Sequence, residues 1–96
     1  MVYSLEDGMR RLQDACYAME DFENVQVSVD TTEITGSFGP NLENMTVDIK
    51  NRTITVEDYF TEVTLHVEGN VDIDYNEEFD AIEYIFNNGI VVSIGS

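Results

Sequence analysis

Basic residues are scarce: four lysines and arginines stand against twenty aspartates and glutamates, for a formal net charge of −16 over 96 residues. A protein that binds DNA or RNA directly needs a basic face against the phosphates, so that class is excluded. Cysteine occurs once, at Cys16, so no intrachain disulfide forms and a reducing compartment fits better than secretion. Apolar runs are short, and none approaches the roughly 20 residues that carry a helix across a bilayer. The first five residues lead into Glu6 and Asp7, unlike a secretory leader. The expected location is cytoplasmic, or the host cytoplasm if a phage encodes the chain. The length leaves no room for two compact domains, so 1–96 is expected to be a single acidic domain.

The apolar fraction is nevertheless 43%, with five tyrosines, five phenylalanines and one proline. Acidic disordered segments lack that content, so the chain is expected to fold. Its core is small, and mutual repulsion among the acids works against it.

Apolar residues at Leu5, Met9, Leu12, Cys16 and Met19 recur at helical spacing, with Ser4 as an N-cap and Glu6 and Asp7 in the first turn. This predicts a helix over about 4–22. The period then changes to two at Val25, Val27 and Val29, and Ile34, Gly36 and Phe38 run back after a turn. Gly39-Pro40-Asn41 breaks the chain. A turn at Asn51-Arg52 places Val47 opposite Val56, Ile49 opposite Ile54 and Lys50 opposite Thr53. A loop at Glu68-Gly69-Asn70 places Val67 opposite Val71, Leu65 opposite Ile73 and Val63 opposite Tyr75, with His66 facing Asp72 and Thr64 facing Asp74. Asn76 then caps a second helix over about 77–88, buried through Phe79, Ile82, Ile85 and Phe86, and 90–94 forms a covered strand. The fold class expected is α+β: an N-terminal helix, an antiparallel meander of about five to six short strands, a second helix and a C-terminal strand.

After Arg52 there is no lysine or arginine, while Glu57, Asp58, Glu62, Glu68, Asp72, Asp74, Glu77, Glu78, Asp80 and Glu83 follow. Solubility alone asks for a net charge of about 2–8 in magnitude in a small domain. Adaptation to molar salt explains scarce lysine, but this chain has few alanines and many large side chains. Duplex DNA carries one charge per about 1.7 Å of axis, so −16 corresponds to about eight base pairs. The reading that uses the charge best is a nucleic-acid mimic: an inhibitor without catalytic activity that occludes the basic groove of a nuclease or interference complex, of the anti-restriction or anti-CRISPR kind. The expected contact comprises Glu57, Asp58, Glu62, Glu68, Asp72, Asp74, Glu77, Glu78, Asp80 and Glu83, with Tyr59 and Phe60 as apolar anchors. An acidic module for another basic partner, as in toxin–immunity pairs, is the alternative, and a homodimer stays open. Because Asp72 and Asp74 sit among like charges, replacing either with Asn is expected to leave stability unchanged or raised.

Other chemistry has weaker support. Asp72, Asp74, Asn76, Glu78, Asp80 and Glu83 fall at the ligand spacings of an EF-hand loop, a candidate calcium site, but Glu77 stands where the sharp turn needs glycine. His66, the single histidine, lies in a strand without a nucleophile beside it. Cys16 lies on the apolar helix face, where a thiol is buried and inert. No catalytic residue, cofactor, membrane contact or direct nucleic-acid contact is expected.

Overall fold

The computed structural model describes residues 1–39 and 42–95. The order is β1 (Val2–Tyr3), α1 (Leu5–Ala18), β2 (Val25–Asp30), β3 (Thr35–Phe38), β4 (Leu42–Asp48), β5 (Thr53–Asp58), β6 (Glu62–His66), β7 (Val71–Asn76), β8 (Ala81–Phe86) and β9 (Ile90–Gly95). The fold is α+β, with one helix and antiparallel strands, but the strands form two sheets. A six-stranded sheet runs β1-β7-β8-β9-β2-β3 and a three-stranded sheet runs β4-β5-β6. Of the expected break at Gly39-Pro40-Asn41, Pro40 and Asn41 lie outside the described residues.

The helix begins as its sequence dictates. The Ser4 hydroxyl accepts from the Asp7 N–H at 3.2 Å, and Glu6 and Asp7 meet the positive end of the helix dipole. Its buried stripe is Gly8, Met9, Leu12 and Cys16, facing β4 of one sheet and β7 of the other. Gly8 permits that approach, because a Cβ there would meet the Val71 side chain at 2.5 Å. Val25, Val27 and Val29 pair with Ile94, Val92 and Ile90, while Met45, Val47, Ile54, Val56 and Leu65 line the facing sheet. These residues form one continuous apolar cluster with the helix.

Three expectations are corrected. The β4–β5 hairpin pairs Val47 with Ile54, Met45 with Val56 and Asp48 with Thr53, two residues away from the expected register. The shift keeps every apolar side chain on its face, so alternation alone could not detect it. It gives a four-residue turn at 49–52 that ends on Arg52 at φ 55°.

The expected hairpin between β6 and β7 is absent among the described residues. Within its sheet β6 pairs with β5, and β7 pairs with β1 and β8 in the other sheet. His66 therefore lies opposite Thr53 and Thr64 opposite Thr55, while Asp72 and Asp74 belong to the other layer. Two strands that face each other across a core have the same alternation as two that pair side by side, so inward Val67 and Val71 fit both arrangements.

The second helix is replaced by the β7–β8 hairpin. Asn76 does cap, but a turn: its side-chain oxygen accepts from the N–H groups of Glu78 at 3.0 Å and Phe79 at 3.4 Å. Asp80 closes the turn at φ 49°. Tyr84 and Phe86 then pair with Ile73 and Val71 on the buried face. Phe79, assigned to the core of a helix, is exposed at the turn, and Ile82 and Ile85 are also exposed.

Candidate acidic interaction surface

All but Glu68 of the acidic residues that the sequence groups together divide between two hairpins on different sheets. The first group lies at the β5–β6 tip. There the Asp58 carboxylate accepts from the N–H groups of Phe60 at 2.8 Å and Thr61 at 2.9 Å, and the Asp58 N–H donates to the Thr61 carbonyl. Asp58 thus shapes the turn. The turn in turn thrusts Tyr59 and Phe60 outward at 77% and 90% exposure. Immediately inside the tip, Glu57 is directly opposite Glu62. Like charges in that position destabilise a sheet. The adjoining row on the same face is Thr46, Thr55 and Thr64, with the last two hydroxyls 3.1 Å apart.

The second group lies on the outer face of the six-stranded sheet. Asp74 is directly opposite Glu83, and Asp72 is two residues along β7. The N-terminal amine of Met1 donates to both Asp72 and Asp74 at 3.0 Å and to the Ile73 carbonyl at 3.1 Å. The hydrogen bond from the amine holds the Asp74 carboxyl below its ordinary value, and the bonds to Asp74 and Asp72 raise the amine. Asp72 and Asp74 therefore have an ionic partner that the side-chain sequence does not reveal, so neither sits only among like charges, as the expectation for Asn at these two positions assumes. Glu83 accepts from Asn76 at 3.3 Å. At the hairpin end Glu77, Glu78 and Phe79 are exposed, and the Tyr75 hydroxyl donates to Asp80, which raises the tyrosine's pKa. Glu68 belongs to neither group and lies exposed in the connection from β6 to β7.

The EF-hand spacings fall on a strand, a turn and a second strand. Asp72 is separated from the turn by the remaining length of β7, roughly 13 Å at strand rise, so the six side chains are strung along a hairpin. Among the described residues no group of three or more His, Cys, Asp or Glu side chains is placed to hold a metal ion. Cys16 is buried, and desolvation pushes its thiol up to about 11, the opposite of what a nucleophile needs.

The basic side chains are placed away from both acidic tips. Arg10 pairs with Glu6 at 2.9 Å on α1, and Arg11 lies 4.3 Å over the Tyr3 ring. Lys50 and Arg52 occupy the β4–β5 turn, at the opposite end of the three-stranded sheet from Tyr59 and Phe60. No helix among the described residues is long and apolar enough to cross a membrane. No protein-family model matches this chain, and neither does any curated protein or solved structure.

Proposed function

We propose that this chain is an inhibitor without catalytic activity that occupies the basic nucleic-acid-binding groove of a nuclease or interference complex. The observation that supports this reading most directly is the β5–β6 tip. Glu57 and Glu62 face each other with no lysine or arginine in that hairpin, beside two aromatic rings that bury almost nothing. Neither feature helps the fold: the carboxylates repel and the rings stay in water. Both suit a binding surface, because carboxylates steer the chain to a cationic groove and aromatic anchors supply affinity once water is excluded. The second hairpin adds Asp74, Glu77, Glu78 and Glu83, so two acidic projections from separate sheets replace the single surface expected from sequence.

The test is capture from host lysate at low salt followed by elution with duplex DNA. A nucleic-acid-binding protein retained by the chain and displaced by DNA supports the mimic. Basic partners that DNA does not displace overturn it in favour of an immunity-type binder.

A further inference from the structure

Among the described residues β6 pairs with β5 alone, so it is an open edge of the three-stranded sheet. The ladder fixes which of its backbone groups are unused. The Val67 N–H donates to the Arg52 carbonyl at 3.0 Å, and the Asp58 N–H donates to the Thr61 carbonyl at 2.9 Å. Bonded pairs alternate along an antiparallel ladder, so Val63 and Leu65 bond to β5 while the N–H and C=O groups of Glu62, Thr64 and His66 point out of the sheet. The Asn88 side chain donates to the His66 carbonyl at 2.9 Å, in keeping with that orientation. The opposite edge is covered: Gln13 of α1 donates to the Val47 carbonyl at 2.9 Å. β6 contains neither proline nor lysine, two residues that commonly keep an edge from pairing.

The strand is complementary to itself. Antiparallel pairing about a two-fold axis at Thr64 sets Thr64 opposite its own copy and Glu62 opposite His66, in both directions. These are the three residues whose backbone groups point outward. The His66 carbonyl has a second lone pair beside the one that Asn88 uses, so it can still accept from an incoming strand. On the outer face the row of Thr46, Thr55 and Thr64 continues into its own image. Glu62, which faces Glu57 within its hairpin, gains an imidazole as its other neighbour. On the inner face Val63 falls opposite Leu65 of the second copy. There Leu65 borders a groove of about 430 Å³ that Ile34 and Ile90 also line. Val63 is half-buried and Ile34 is 42% exposed, so an apolar side chain meets apolar walls that the single chain leaves open.

We infer that β6 is a homodimer interface that joins two copies edge to edge in one continuous antiparallel sheet. A second copy suits this edge because the outward backbone groups, the Glu62–His66 pairing and the apolar positions match under one symmetry axis. The opposing term is the charge of −16 on each chain, with Glu68 diagonal to the incoming Glu62. Association is therefore weakest at low salt and tightens as salt screens the repulsion. Attraction to a basic groove has the reverse salt dependence. Antiparallel pairing also sends the two Tyr59–Phe60 turns to opposite ends of the joined sheet, both still exposed, so the dimer stands apart from the mimic reading.

The experiment is sedimentation equilibrium of the full chain over a range of concentration and salt, with amide hydrogen exchange read by NMR on the same samples. A dimer that tightens with salt is expected. The amides of Glu62, Thr64 and His66 should exchange fast in dilute protein and slowly in the dimer, while Val63 and Leu65 stay protected throughout. His66→Glu sets carboxylates against each other twice in each dimer and should weaken association roughly tenfold. Glu62→His with His66→Glu restores the opposed pairs and should recover most of that loss. Thr64→Pro removes an outward N–H without touching the ladder to β5, and should leave a folded monomer in which Leu65 is still protected. If that variant does not fold, the exchange of Glu62 and His66 decides. A monomer under all conditions, a dimer without new protection at these three amides, or an exchange variant no better than His66→Glu would overturn the assignment. Elution by DNA reads the mimic and sedimentation reads the edge, so the two fail separately.

Discussion

Tyr59 and Phe60 hold their rings edge to face, with centroids 5.0 Å apart and planes at 77°, at the most exposed turn of the three-stranded sheet. Adjacent aromatics in this geometry form a small preorganised apolar knob. Phe60→Ala should change folding stability by less than about 0.5 kcal/mol, because almost none of the side chain is buried. The same substitution should weaken partner binding at least tenfold, about 1.4 kcal/mol, as anchors at interface centres do. Denaturant unfolding and calorimetry of the complex measure the two effects, and a large stability loss with unchanged affinity would make the ring structural.

Asp58 separates shape from charge at the same tip. Its carboxylate accepts two turn N–H groups, so Asp58→Ala should cost about 1 kcal/mol and loosen the knob. Asp58→Asn keeps an acceptor oxygen while removing the charge, and should retain most of the stability and of the partner affinity. If Asn is as damaging to binding as Ala, the charge of Asp58 is itself a contact.

Arg52 occupies left-handed backbone at φ 55°, where a side chain is strained. Its carbonyl accepts from the Val67 N–H at 3.0 Å, a bond that any residue can make. Arg52→Gly relieves a strain of roughly 1–2 kcal/mol and gives back part of it as unfolded-chain entropy. The expected gain is about 0.5–1 kcal/mol in denaturant unfolding, even though the net charge becomes more negative.

Much of this architecture was legible. Helix α1 as far as Ala18, short of the expected end near Phe22, its Ser4 cap, the β2 alternation and the inward set from Val47 to Ile73 follow directly from spacing. Two of the differences share one cause: alternation fixes which face a residue takes but not which strand lies beside it, so it admits both a β6–β7 hairpin and a β4–β5 register displaced by two. Over 77–88, Phe79, Ile82, Ile85 and Phe86 satisfy a helical stripe, while Ile82, Tyr84 and Phe86 satisfy a strand. Pairing with Val71 and Ile73, distant in sequence, decided between them. One part of the site had no local signal: the Met1 amine reaches Asp72 and Asp74 across 71 and 73 positions.

The Met1–Asp74 pair gives a pH signature. Asp74 is held below its ordinary value of 3.8, so its contribution is present above that pH and is lost as pH falls through the depressed folded value. The amine is raised above its ordinary value of 8.0, so its contribution is full below pH 8.0 and is lost as pH rises through the folded value. Asp74→Asn should therefore lower the melting temperature by a constant margin between about pH 5 and 7. The margin should shrink below pH 3.8 and again above pH 8. A margin that ignores the alkaline limb would show that the amine is not the partner.

Charge reversal at each hairpin separates the two acidic projections. Glu57→Lys with Glu62→Lys changes the tip that carries the aromatic knob, and Asp74→Lys with Glu83→Lys changes the outer face of the other sheet. The tip pair places like charges opposite one another, as the wild type already does, so it should cost little folding stability. Asp74→Lys instead sets a cation beside the Met1 amine and should cost at least as much as Asp74→Asn. Asp74→Lys also loses the Met1 amine, so its fold is checked separately by circular dichroism. Because exposed charges act mainly on encounter rate and salt dependence, each reversal should slow association and flatten the decline of affinity with salt. The tip reversal should abolish measurable binding, since it also places cations beside the rings that must enter the partner's basic groove. The sheet reversal should leave weakened binding that DNA still displaces. If instead the tip reversal is harmless and the sheet reversal abolishes binding, Asp74, Glu83 and the 77–80 turn are the mimic, and Tyr59 and Phe60 have no part in the contact.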